Sequence, residues 1–142
     1  MVGKGKGEIM PTVRSFNGLF SSVHLDWKTP GWLYKQLDRE FNFDFDPCPA
    51  NPTFDGLEIQ WGDRNFVNPP YGREIIKWCE KATIEWMDGA LVVMLVPSRT
   101  DTQWWHRFIM NADEIRFIEG RLTFDGHKGK SAPFPSAVVV FR

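Results

Sequence analysis

Histidine and cysteine are scarce in this chain of 142 residues, which has only three His (His24, His106, His127) and two Cys (Cys48, Cys79). They lie at spacings that no zinc motif uses, and the cysteines form neither a CxxC pair nor a disulfide framework. No resident metal is expected, and the cysteine usage suits a reducing cytoplasm. Neither sign of charge is in excess, because 17 Lys+Arg stand against 18 Asp+Glu for a formal charge of −1. A uniformly basic coat is thereby excluded, and any nucleic acid must be met by a local patch. Long apolar runs are also missing. The longest, residues 90–97, is far too short to cross a bilayer. No apolar stretch follows the lysines of residues 1–7, as a secretory signal would require. What is present, 42% hydrophobic and 25% charged residues, is ordinary for a soluble globular protein of one domain. The expectation is a cytoplasmic protein with a flexible lead-in over residues 1–24 and one domain over residues 25–142.

Local pattern predicts an alternation of helices and strands. Thr29 reads as a helix N-cap and Pro30 as the first helical residue, and Leu33, Leu37 and Phe41 then recur every four positions. Phe41-Asn42-Phe43-Asp44-Phe45 alternates with period two, as a half-buried strand does, until Asp46-Pro47-Cys48-Pro49 stops it. Residues 49–65 give no clear element beyond a short stretch around 57–61. A brief strand through Phe66 and Val67 enters Asn68-Pro69-Pro70-Tyr71. Ile75, Cys79, Ala82 and Trp86 then mark a helix face, with Gly89 as its stop. Residues 90–96 are continuously apolar and rich in β-branched side chains, the mark of a strand covered on both sides. Thr100-Asp101-Thr102-Gln103 fits a capping box that opens a helix burying Trp104, Trp105, Phe108 and Ile109. Two strand-like runs, 115–118 and 137–141, flank a polar segment over 125–130. The order indicates an α/β fold, with a mostly parallel sheet, helices on both faces and a C-terminal antiparallel hairpin at one edge. In such sheets ligands bind beyond the carboxyl ends of the strands, where Asp46-Pro47-Cys48, Asn68-Pro69-Pro70-Tyr71 and Pro97-Ser98-Arg99 all fall.

The tetrapeptide Asn68-Pro69-Pro70-Tyr71 carries the chemistry. An exocyclic or amide nitrogen is a poor nucleophile because its lone pair is delocalised. Two fixed acceptors can hold both of its N–H bonds and favour a pyramidal nitrogen aimed at an electrophile. The Asn68 side-chain carbonyl and the Pro69 backbone carbonyl are candidates, pre-positioned because Pro69 and Pro70 fix the backbone. Tyr71 offers a ring face on which a flipped base can stack. The electrophile must be already activated, since no metal cluster and no Ser–His or Cys–His pair is visible. A sulfonium methyl donor fits.

Five ordered blocks give the chain a family likeness. They are Trp27-Lys28-Thr29-Pro30, Asp46-Pro47-Cys48 with Ala50, and Asn68-Pro69-Pro70-Tyr71. Leu95-Val96-Pro97-Ser98-Arg99-Thr100 with Trp104-Trp105 and Gly120-Arg121-Leu122-Thr123-Phe124 complete the set. Over about residues 22–142 the chain resembles the small, largely phage-encoded DNA N6-adenine methyltransferases of the Dam type. The resemblance implies a shortened Rossmann-like methyltransferase that uses S-adenosylmethionine and acts on double-stranded DNA, in the host cytoplasm if phage-encoded. It implies catalytic roles for Asn68, Pro69, Pro70 and Tyr71, and donor contacts from Thr29, Pro30, Asp46, Pro47 and Cys48. Asp63, Asp55 and Glu58 are candidates for the ribose hydroxyls, with Asp63 preferred, although each could be a solvated loop carboxylate. The family's glycine-rich turn after the first strand is replaced by Pro49-Ala50-Asn51-Pro52.

Arg73, Arg99, Lys128 and Lys130 are the candidate phosphate contacts, each open to the reading of a solvated surface charge. Trp27 and Trp61 adjoin the proposed site loops and could wall the donor's adenine or simply pack. His127 reads as a loop residue. The same nitrogen chemistry would serve RNA or a protein glutamine amide as acceptor. The missing glycine turn leaves open a catalytically degenerate DNA-binding module.

Overall fold

Leu33 and Leu37 lie one helical turn apart, and both are buried on the inner side of α1 (Gly31–Phe41). The structure, a computed structural model, describes residues 27–142, so the lead-in expected over 1–24 and His24 lie outside the described residues. Pro30 is the N-cap of α1, with ψ at 132°, and no side chain caps the helix. The cap expected of Thr29 is therefore corrected, because the extended Pro30 separates Thr29 from the first free N–H groups. At the other end Asn42 turns left-handed (φ 55°) and its N–H returns to the Asp38 carbonyl. Asn tolerates that conformation better than most residues. Phe41 thus belongs to the helix, and the strand expected over 41–45 shrinks to one parallel bridge between Phe45 and Asn65.

The sheet has four strands in the order β1-β2-β4-β3: β1 (Arg64–Val67), β2 (Leu91–Pro97), β3 (Glu114–Phe117) and β4 (Ser136–Phe141). Helix α2 (Ile75–Met87) links the parallel pair β1 and β2. β4 runs antiparallel to both β2 and β3. The sheet is therefore mixed, which corrects the expectation of a mostly parallel sheet, while the last two strands form the expected antiparallel pair at one edge. Burial explains the insertion. All six residues of β4 are buried, as an interior strand requires, whereas Glu114-Ile115-Arg116-Phe117 carries charges that suit an edge.

Because β4 alone is reversed, β1, β2, β3 and the Phe45 bridge all point the same way. The register divides the side chains between two faces. Phe66 meets Tyr34 of α1 on one face, and Arg116 of β3 pairs with Glu40 there. On the other face Phe141 meets Trp86 of α2, and Phe117 stacks with Trp105 of α3 (Gln103–Arg107). Helices thus cover both faces. The N-cap of α3 is Thr102, whose hydroxyl accepts the Trp105 N–H, rather than Thr100, the start of the expected capping box. After five residues the helix yields to a 3-10 turn (Ile109–Asn111).

Residues 49–65 contain turns rather than an element near 57–61, but they are anchored. The Trp61 indole N–H donates to the Gly56 carbonyl at 2.7 Å. A Cβ on Gly56 would be driven into the Pro47 carbonyl, with the Trp78 ring 2.7 Å away, so only glycine fits. Among the described residues no helix is long and apolar enough to cross a membrane.

Candidate active site

The strands that share a direction deliver their carboxyl ends to one rim: Asp46 after the Phe45 bridge, Asn68 after β1, and Ser98 and Arg99 after β2. A cleft of about 670 Å³ opens there, walled by Trp27, Thr29, Asp46, Cys48, Asn68 and Pro69 among others. Its size is within the usual span for small-molecule sites, about 300–1,000 Å³. A second cleft of about 550 Å³ shares Cys48 and Pro70 and is walled by Pro47, Asp55, Glu74 and Trp78. Among the described residues no three His, Cys, Asp or Glu side chains form a group able to hold a metal ion.

Asn68 has the most informative geometry. Its side-chain amide nitrogen donates to the Trp27 carbonyl at 2.6 Å and to the Thr29 hydroxyl oxygen at 3.0 Å. A backbone carbonyl only accepts, so the nitrogen must face Trp27 and the amide cannot be turned around. Oδ1 is left buried with no hydrogen-bond partner. An orphaned acceptor of this kind typically costs about 1–3 kcal/mol. Pro69 follows it on the same wall.

Asp46 lines the same cleft. Its Oδ1 accepts the Cys48 N–H at 2.9 Å, closing the turn that replaces the strand. Burial pushes its carboxyl above the ordinary range, and the Cys48 hydrogen bond opposes that shift. In the following turn Asn51 takes the left-handed conformation (φ 52°) that a glycine-rich turn would otherwise provide, and Pro49 and Ala50 line the cleft.

Tyr71 departs from expectation. Only 9% of it is exposed, its hydroxyl donates to the Leu95 carbonyl at 3.3 Å, and burial raises its phenol well above the usual range. Its ring meets Phe134 edge-on at 5.6 Å and Phe124 at 6.4 Å, and it is not among the residues lining the cleft. The rings on the wall are Trp27, Tyr34 and Phe66, and Trp27 is packed against Phe134 and Phe124 and stacked with His127 at 4.4 Å and 8°. Trp27 is therefore a wall residue. Trp61 belongs to the core beside Trp78.

The remaining expected residues scatter more widely. Pro30 is buried as the α1 cap, and Pro47 lines the second cleft. Asp63 immediately precedes β1, at the end of the strand opposite Asn68, where its carbonyl accepts the Leu91 N–H, and it lines neither cleft. Asp55 lines the second cleft, and Glu58 is exposed. Arg73, Arg99, Lys128 and Lys130 are all exposed, and the Arg99 guanidinium lies 5.9 Å from the Phe134 ring. Sequence reasoning missed Asp125, which lines the cleft because residue 125 bridges Lys28 in antiparallel fashion. Its only signal was its place directly after Gly120-Arg121-Leu122-Thr123-Phe124.

The family model described as DNA N-6-adenine-methyltransferase (Dam) matches residues 19–141. A DNA N-6-adenine-methyltransferase of Haemophilus phage HP1 (strain HP1c1) is 28% identical over 105 residues, which cover 65% of this chain and 61% of the relative. The chain thus spans about three fifths of the length of that curated relative.

Proposed function

The chain belongs to the DNA N-6-adenine-methyltransferase (Dam) family, and from that premise we propose that it transfers a methyl group from S-adenosylmethionine to the N6 amine of adenine in double-stranded DNA. The observation that carries the reading is the buried, unpartnered Oδ1 of Asn68, a residue that lines the cleft. It is an acceptor held ready for an N–H that the described residues do not supply.

The cleft suits the donor. Its volume is appropriate, and the half-buried Asp46 carboxylate complements a cationic ligand whose charge would offset the cost of burying its own. When bound, S-adenosylmethionine supplies a methyl group on a positively charged sulfur. Thr29, Asp46 and Cys48 line the space that would hold it, with Pro30 and Pro47 adjoining them in the chain. Asp63 is not carried into this set.

Asn68 Oδ1 accepts one N–H of the adenine amine and the Pro69 carbonyl accepts the other, drawing the nitrogen toward a tetrahedral shape with its lone pair aimed at the donor. Both acceptors are fixed before the base arrives, so little reorganisation accompanies the reaction. A paired adenine cannot reach the cleft, so the base is extruded. Trp27 is better placed than Tyr71 to stack it. Tyr71 instead ties the catalytic loop to β2 through the Leu95 carbonyl. Arg73, Arg99, Lys128 and Lys130 contact phosphates around the rim. The fold is read as a shortened Rossmann-like one, supported by its co-directed strands and the α2 crossover. The relative's phage origin suggests action in a host cytoplasm.

Labelled donor and adenine-containing duplex DNA provide the test, with RNA and a glutamine-bearing protein as alternative acceptors. Label is expected on adenine N6 in DNA alone. Asn68→Ala is expected to slow transfer by about 100-fold or more. Transfer at a near wild-type rate by that variant would remove the assigned role.

A further inference from the structure

We infer that Thr29 is a positioning residue that acts through Asn68. Together with the Trp27 carbonyl it clamps the amide so that Oδ1 is presented to the acceptor amine. The inference rests on the reading that Oδ1 receives that amine. Thr29 lines the cleft, and its hydroxyl oxygen accepts an N–H from Asn68.

The two bonds have different tasks. The Trp27 carbonyl, at 2.6 Å, decides which end of the amide is nitrogen, because it cannot donate. The Thr29 hydroxyl, at 3.0 Å, engages the second proton of the same NH2 group and fixes the plane of the amide. With both protons held, the lone pairs of Oδ1 point in one direction. The clamp is itself anchored. The Asp125 N–H donates to the Lys28 carbonyl at 3.0 Å, the Trp27 ring is packed against Phe124 and Phe134, and Pro30 opens α1.

A second consequence concerns position 68. A carboxylate there would be an equally good acceptor for an amine, but it has no N–H for Trp27 or Thr29. One of its oxygens would face a carbonyl oxygen at hydrogen-bond distance. This site is thus built for asparagine and against aspartate.

The test compares wild type with Thr29→Val, Thr29→Ser and Asn68→Asp. Transfer to duplex DNA is measured at saturating donor, donor Kd by calorimetry, and hydrogen exchange of the Asn68 side-chain NH2 by NMR without DNA. Thr29→Val is expected to lower kcat about 10-fold or more at saturating donor, a loss that more donor does not recover. It should also speed exchange of an Asn68 amide proton that is protected in wild type. Thr29→Ser should restore both readouts, and Asn68→Asp should lose at least as much activity as Asn68→Ala. A Thr29→Val variant with unchanged kcat, a loss expressed only as weaker donor binding, or failure of serine to rescue would each overturn the inference. So would unprotected Asn68 amide protons in wild type. If wild type itself leaves DNA unmethylated, the functional reading fails instead, while the exchange measurement still decides whether the clamp exists.

Discussion

The centre of the sheet and the rim of its cleft are built on opposite principles. Val92, Val93, Met94, Leu95 and Val96 are fully buried, and β2 is bonded along both sides, to β1 and to β4. The rim keeps an orphaned oxygen on Asn68, a desolvated carboxylate on Asp46, and a left-handed residue at Asn51. Each rim feature works against stability, and each faces or flanks the cleft. The contrast implies that folding free energy is concentrated in the sheet and partly forgone where ligands are to bind.

The contrast can be broken most severely at Asn68. If the rim is built for chemistry, Asn68→Ala should cost about 100-fold or more in transfer rate while leaving the melting temperature within a few degrees. A large fall in melting temperature, measured by differential scanning calorimetry, would show that Asn68 belongs to the structural half. Leu95→Ala is the reciprocal experiment. Truncating this buried side chain should cost about 2–5 kcal/mol in denaturant unfolding, with donor affinity of the folded fraction unchanged. Replacing both Lys128 and Lys130 by alanine has a smaller expected effect, a several-fold loss of DNA affinity. The slope of log affinity against log salt should fall by about 1–2, with no change in donor binding.

Asp46→Asn should have the smallest effect on stability, and its sign is diagnostic. Burial raises the folded-state pKa of Asp46, so the charged form weakens the empty fold and the penalty disappears as pH falls through that pKa. The variant should therefore melt slightly higher than wild type at pH 7, with the advantage gone once both states are protonated in acid, while donor affinity drops. A lower melting temperature at neutral pH would mean that the carboxylate is stabilising.

The parts of the fold that were legible in sequence were those with local causes. Leu33 and Leu37 identified α1, the face from Ile75 through Ala82 identified α2, and the continuous apolar run identified β2. Errors arose where two local signals competed. Phe41-Asn42-Phe43-Asp44-Phe45 alternates like a strand, but the helix keeps Phe41 and Asn42 supplies its left-handed end. Thr100 and Thr102 both read as caps, and only Thr102 reaches the Trp105 N–H. Asn68 and Pro69 were legible because two adjacent prolines after a strand are a strong local signal. Tyr71 was identified but its setting was not, since Phe124 and Phe134, which enclose it, are more than fifty residues away in sequence.

By itself the sequence determined α1, α2, β2 and the place of Asn68-Pro69 directly after a strand. These depend on residue identity and short-range spacing, which the chain carries wherever it folds. Tertiary structure alone decided that β4 lies inside the sheet, that Asp63 is remote while Asp125 lines the cleft, and that Trp27 and Thr29 grip the Asn68 amide. Those outcomes depend on pairing between distant segments, Lys28 with Asp125 and Val92 with Phe141, where burial and backbone hydrogen bonding select a partner that no local pattern specifies.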